Sequence, residues 1–346
     1  MSGASLKSVD ALIAAGLAAE GERDTLDRVA ERYAVALTPT VQTLIDETDP
    51  ADPIARQYVP TSAELIETEG ERNDPIGDHA HSPVEGIVHR YPDRVLLKVV
   101  HICPVYCRFC FRREMVGPQG DGTLSPDKLD AAIAYIASQP GIWEVILTGG
   151  DPLVLSPRRL REIMSALSAI AHVRIVRLHT RVPAVDPERI NAELIEALRA
   201  SGKTIYLALH ANHPREMSEA VREACGRLVD AGIVMVSQSV LLKGINDNAE
   251  VLAALMRAFV ETRIKPYYLH HPDLAPGTSH FRLSIAEGQS LIRALRSKVS
   301  GLCIPAYILD LPDGHGKVSL GDGMLSETTP GHYAITDSRG VPRRYP

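Results

Sequence analysis

Between Arg94 and Leu309, short apolar runs alternate with stretches whose apolar residues return every three or four positions. Arg94–Val100, Glu144–Thr148, Val173–Leu178, Thr204–Leu209, Ile233–Val240, Lys265–Leu269 and Ala306–Leu309 have strand length. Leu129–Ala137, Pro157–Ala169, Pro187–Ala200, Arg215–Ala231, Ala249–Val260 and Ile285–Val299 have helical spacing. Ser125 before Pro126 and Ser156 before Pro157 are N-cap signals. The pattern predicts six βα units and one further strand, hence an α/β fold with a parallel sheet covered by helices. Six units suit a doubly wound open sheet or an incomplete barrel, and in either, ligands bind at the carboxyl ends of the strands.

The flanks read differently. Val9, Leu12 and Ile13, then Leu26, Val29, Tyr33 and Leu37, keep helical spacing, so residues 1 to 60 read as a helical extension packed on the main body. Residues 61–89 are polar and read as a linker, with a short helix around Ser62 to Glu69. Tyr333–Asp337 and Val341–Tyr345, around Ser338-Arg339-Gly340, predict a terminal hairpin. The expected division is an extension and linker at 1–89, the α/β body at 90–310, and a loop with the hairpin at 311–346.

Hydrophobic residues make up 45% of the 346 and charged residues 23%, an ordinary globular composition. A net charge of −6, with no basic run beyond adjacent pairs, speaks against a nucleic-acid partner. No apolar stretch approaches the ~18 residues that would span a bilayer. The apolar N-terminal patch is framed by acidic residues and reads as an amphipathic helix rather than a signal peptide.

Cys103-Pro-Val-Tyr-Cys107-Arg-Phe-Cys110 carries the strongest chemical signal. Three of the five cysteines fall within eight residues, far from Cys225 and Cys303. Iron–sulfur clusters usually take four thiolates, so three suggest a four-iron cluster with one iron open to a ligand. Structural zinc, or a disulfide framework with one cysteine left over, is the alternative, but structural zinc prefers four ligands at paired spacings. CxxxCxxC with an aromatic residue before its last cysteine resembles the signature of radical S-adenosylmethionine (SAM) enzymes. The longer string CPVYCRFCFRREMVG is similar to that of lysine 2,3-aminomutases. The resemblance implies an incomplete (β/α)6 TIM-like barrel. It also implies a [4Fe–4S] cluster on Cys103, Cys107 and Cys110 that cleaves SAM to a 5′-deoxyadenosyl radical.

Thr148-Gly149-Gly150-Asp151-Pro152 closes the second predicted strand. Two glycines there let a backbone approach a ligand, and an acid can accept from an ammonium group. By resemblance, Gly149, Gly150, Asp151, His210 and Gln238 contact SAM. Lys317, in Leu311-Pro312-Asp313-Gly314-His315-Gly316-Lys317, matches the family's pyridoxal 5′-phosphate (PLP) lysine, although Asp313 and His315 stand where the family loop has glycine. Arg90 and Arg94 match arginines that hold the PLP phosphate, a role suited to bidentate, fully charged side chains. Arg112 matches the arginine on the substrate carboxylate. Asp273 and Asp310 match two aspartates on a side-chain ammonium, a pair left unpaired by any substrate lacking that charge.

The resemblance implies a cytoplasmic isomerase converting free L-lysine to β-lysine. A flavodoxin or ferredoxin would supply electrons, and a homo-oligomer is left open. An oxygen-sensitive thiolate cluster belongs in a reducing compartment. No cysteine follows Cys303, so the C-terminal zinc cluster of the longer relatives is not expected. The competing readings are the same chemistry on another amino acid, a β-lysine supply for elongation factor P, and a non-catalytic iron–sulfur or zinc module.

Overall fold

The computed structural model describes residues 3–117, 122–321, 325–329, 332–336 and 341–345. Its centre is a nine-stranded sheet in sequential order: β1 (Ile87–Tyr91), β2 (Arg94–Val100), β3 (Glu144–Gly149), β4 (Ile175–Thr180), β5 (Thr204–His210), β6 (Val234–Val240), β7 (Lys265–His270), β8 (Ala306–Leu311) and β9 (Gly316–Ser319). Strands β2 to β8 run parallel, and β1 and β9 add antiparallel edges. β1 and β9 do not pair with each other, so the barrel stays open and incomplete.

Side chains alternate across each strand. Leu147, Leu178, Leu209 and Leu269 join the buried core with helix residues such as Leu160, Leu198, Leu228 and Phe259. Thr148, His179, His210 and His270 point the other way, into the lumen. Helices Pro126–Ser138, Pro157–Ser168, Ala192–Arg199, Glu219–Asp230, Ala249–Glu261 and Ile285–Arg296 follow β2 to β7 in turn, so each of the six predicted units is present.

The sheet reaches beyond the 90–310 span at both ends. β1 begins in the stretch read as a linker and crosses into the body at Arg90; His89 and Arg90 mask its apolar character. β9 lies inside the stretch read as a loop, and it carries Lys317. Two predicted helices are shorter than their apolar spacing implies. Asn191 caps Ala192–Arg199, accepting from Leu194 N, so Pro187–Arg189 remains a separate turn. The turn Pro214–Glu216 precedes Glu219–Asp230 in the same way. In the extension the helices are short: Val9–Ala14, Arg23–Arg32, Pro39–Leu44 and Ala55–Tyr58, followed by a single turn at Ser62–Leu65. At the C-terminus, His332–Thr336 pairs with Pro342–Tyr345 as expected and also with Leu325–Thr329, giving a three-stranded sheet. Asp337, the predicted end of the first hairpin strand, and the predicted turn at 338–340 lie outside the described residues.

Candidate active site

The lumen is a cavity of about 500 Å³, and all fourteen residues singled out from sequence line it: Cys103, Cys107, Cys110, Arg90, Arg94, Arg112, Gly149, Gly150, Asp151, His210, Gln238, Asp273, Asp310 and Lys317. What brings them together is mostly strand register. His210 and Gln238 are direct neighbours on β5 and β6. Asp310 and Lys317 are direct neighbours on β8 and β9, so their separation of seven residues is the length of one hairpin. Lys317 Nζ donates to Asp310, and Lys317 N donates to Tyr91 Oη at 2.8 Å.

The hairpin turn takes up the two departures from glycine differently. Asp313 adopts a left-handed backbone, φ +60°, and pairs with Arg72, whereas His315 has an ordinary φ of −69°. Short polar residues tolerate the left-handed region better than others do.

The cysteine loop follows β2 and is clamped by the extension. Arg108 Nη2 meets Glu64 Oε2 at 2.5 Å, Arg113 pairs with the same carboxylate, and Arg108 N donates to Gln57 O at 2.8 Å. Gly149 and Gly150 explain themselves here. A Cβ on Gly149 would lie 2.3 Å from Val100 O, and one on Gly150 would lie 2.3 Å from Ile102 O. The close approach is to the chain's own backbone, just ahead of Cys103, while both residues still face the cavity. Asp151 is similarly engaged: its carboxylate accepts from Leu153 N, Thr180 Oγ1, Arg181 N and Val182 N.

The donor set fits a cluster. The three cysteines are free thiols at the lumen, close enough for Cys103 to feel the charges of Cys107 and Cys110. Among the described residues their side chains are not arranged as a metal-ligand set, so the fit rests on the number, spacing and chemistry of the three thiols. Burial pushes the Cys107 thiol up to about 11 despite Arg181 nearby, and burial raises Cys103 and Cys110 as well. Thiols of this kind ionise readily only against a metal cation.

Two residues that sequence reasoning passed over hold the arginines of the cysteine loop and its surroundings. Asp78 is buried between two of the predicted arginines: Arg112 Nη2 donates to Oδ2 at 2.8 Å and Arg90 Nη2 to Oδ1 at 3.1 Å. Burial pushes its carboxyl up, but Arg112, Lys98 and Arg90 outweigh that, so it sits below its ordinary value. Glu64 plays the same part under Arg108 and Arg113. A buried carboxylate and a solvated one look alike in a polar stretch, so no sequence signal distinguished them. Arg90 Nη1 also lies 3.7 Å from Asp310 Oδ1.

A family profile described as Radical SAM superfamily matches residues 97–256. The chain is 40% identical to an L-lysine 2,3-aminomutase of Clostridium subterminale, covering 86% of this chain and 71% of that one. It is 37% identical to an L-lysine 2,3-aminomutase of Escherichia coli, covering 80% of each. The chain belongs to the lysine 2,3-aminomutase family. As a radical SAM aminomutase of this type it is an isomerase, and its family implies a [4Fe–4S] cluster and SAM. A glutamate 2,3-aminomutase of Clostridioides difficile is also similar, at 38% identity over 86% of this chain and 70% of that one, so membership leaves the substrate open.

Proposed function

We propose that this aminomutase is PLP-dependent and converts free L-lysine to β-lysine by moving the α-amino group to the β-carbon. The observation that carries the reading is the pair Asp273 and Asp310, both facing the lumen that also holds Arg112 and Lys317. Two carboxylates at the side-chain end suit an ammonium group and reject the acidic side chain of glutamate. Arg112, oriented by Asp78, takes the substrate carboxylate through a planar, bidentate donor. Lys317 anchors PLP, with Arg90 and Arg94 on its phosphate. Cys103, Cys107 and Cys110 hold the cluster, and Gly149, Gly150, Asp151, His210 and Gln238 surround SAM. When bound, these groups supply a radical that abstracts a substrate hydrogen and a conjugated ring that delocalises the unpaired electron. The chain's own part is positioning the reacting groups in the lumen.

The reading includes cytoplasmic residence and a low-potential donor such as flavodoxin or ferredoxin. Among the described residues no helix is long and apolar enough to cross a membrane. An anaerobic assay of reconstituted protein with PLP, SAM, reductant and L-lysine tests it. β-Lysine that disappears in Lys317→Ala and Cys107→Ala is the expected result. SAM cleavage with glutamate, and not lysine, rearranged would overturn the substrate.

A further inference from the structure

Lys317 Nζ donates to Asp310 Oδ2, on the strand directly across from it. A lysine side chain ends in the same primary ammonium, on the same four-carbon stem, as a lysine substrate. Without PLP, Lys317 therefore fills half of the carboxylate pair meant for the substrate's side chain. The other half, Asp273, lines the same lumen. The remaining groups around Asp310 cannot replace the cation well. Arg90 is 3.7 Å away and already held by Asp78, and His270 Nδ1 is 3.8 Å away on an imidazole that burial keeps neutral.

We propose that Lys317 is also a specificity-determining residue of the side-chain cation subsite, standing on Asp310 in place of substrate until PLP takes its nitrogen. This rests on the reading of Lys317 as the PLP anchor. When PLP attaches, the Lys317 ammonium releases one proton, C=N replaces the aldehyde C=O, and the oxygen leaves as water. The nitrogen is drawn to the aldehyde carbon and gives up Asp310. Of its cations Asp310 then keeps only the more distant Arg90, beside the like-charged Asp273, a state that a substrate ammonium relieves and an apolar or acidic side chain does not. Cofactor and substrate thus bind in a coupled order, PLP before lysine.

Calorimetric titration of the full chain, purified without PLP or SAM, tests this. Lys317→Met is expected to bind L-lysine about tenfold or more tightly than the PLP-free wild type, equivalent to at least ~1.4 kcal/mol. Lys317→Gln should behave alike, and adding Asp310→Asn should erase the gain. L-Norleucine, which lacks the side-chain cation, should bind wild type and variants equally. Equal lysine affinity in folded wild type and Lys317→Met overturns the inference. A wild-type chain that acquires no PLP absorbance, where Lys317→Met also acquires none, overturns the anchor reading instead, without touching the calorimetric comparison.

Discussion

Burial and the neighbouring Asp310 charge push the Asp273 carboxyl up to about 7, from an ordinary value near ~3.9. A raised acid works against folding. Below its unfolded pKa both states hold the proton and nothing is lost. Stability then falls as pH climbs toward 7 and levels off above it. Asp273→Asn should therefore stabilise the PLP-free protein at pH 8, by at most about 4 kcal/mol, and leave it unchanged near pH 4, while lysine turnover is lost. Thermal denaturation at the two pH values checks this; equal shifts at both would contradict it. That the candidate residues share one lumen was legible in sequence because they stand in distinctive strings at strand ends: cysteines at fixed spacing, and an aspartate a hairpin's length before a lysine. Asp78 and Glu64 were not, because their importance lies in being buried, and burial of a lone acid depends on partners distant in the chain.

Among the elements, the junction of β3 with the cysteine loop is tightly constrained. Gly149 has φ +114° and no room for a Cβ against Val100 O. Gly149→Ala should lower iron content per chain well below wild type and depress Tm by several degrees. Gly202 also has a positive φ, +64°, but nothing within 4 Å of its Cβ position. Gly202→Ala should cost only the left-handed strain of about 1–2 kcal/mol and leave iron content unchanged. Iron analysis beside denaturation separates the two, and equal iron loss in both variants would show that the close approach does not matter. The βα rhythm was readable because parallel strands covered by helices are marked by repeated apolar runs. β1 and β9 were missed because edge strands of an open barrel are short, half polar and carry no such mark.

At the scale of the molecule, the partial barrel is completed by packing from outside its own repeat. Glu64 has no solvent exposure and joins the extension to Arg108 and Arg113. Removing one partner of a buried ion pair leaves the others uncompensated, so Glu64→Gln should cost about 3–5 kcal/mol. It should also loosen the cluster; chelator-driven iron loss no faster than in wild type would sink that expectation. Arg113 Nη1 reaches further still, donating to Gly277 O at 3.0 Å. The three thiols emerge from the ribosome early, yet the carbonyl that braces their loop is made only after more than 160 further residues, from Cys110 to Gly277. Chains fold from the N-terminus as they are synthesised. The loop therefore has its N-terminal braces, Gln57 and Glu64, from the moment it is made, and gains its C-terminal one only once the chain has passed Gly277.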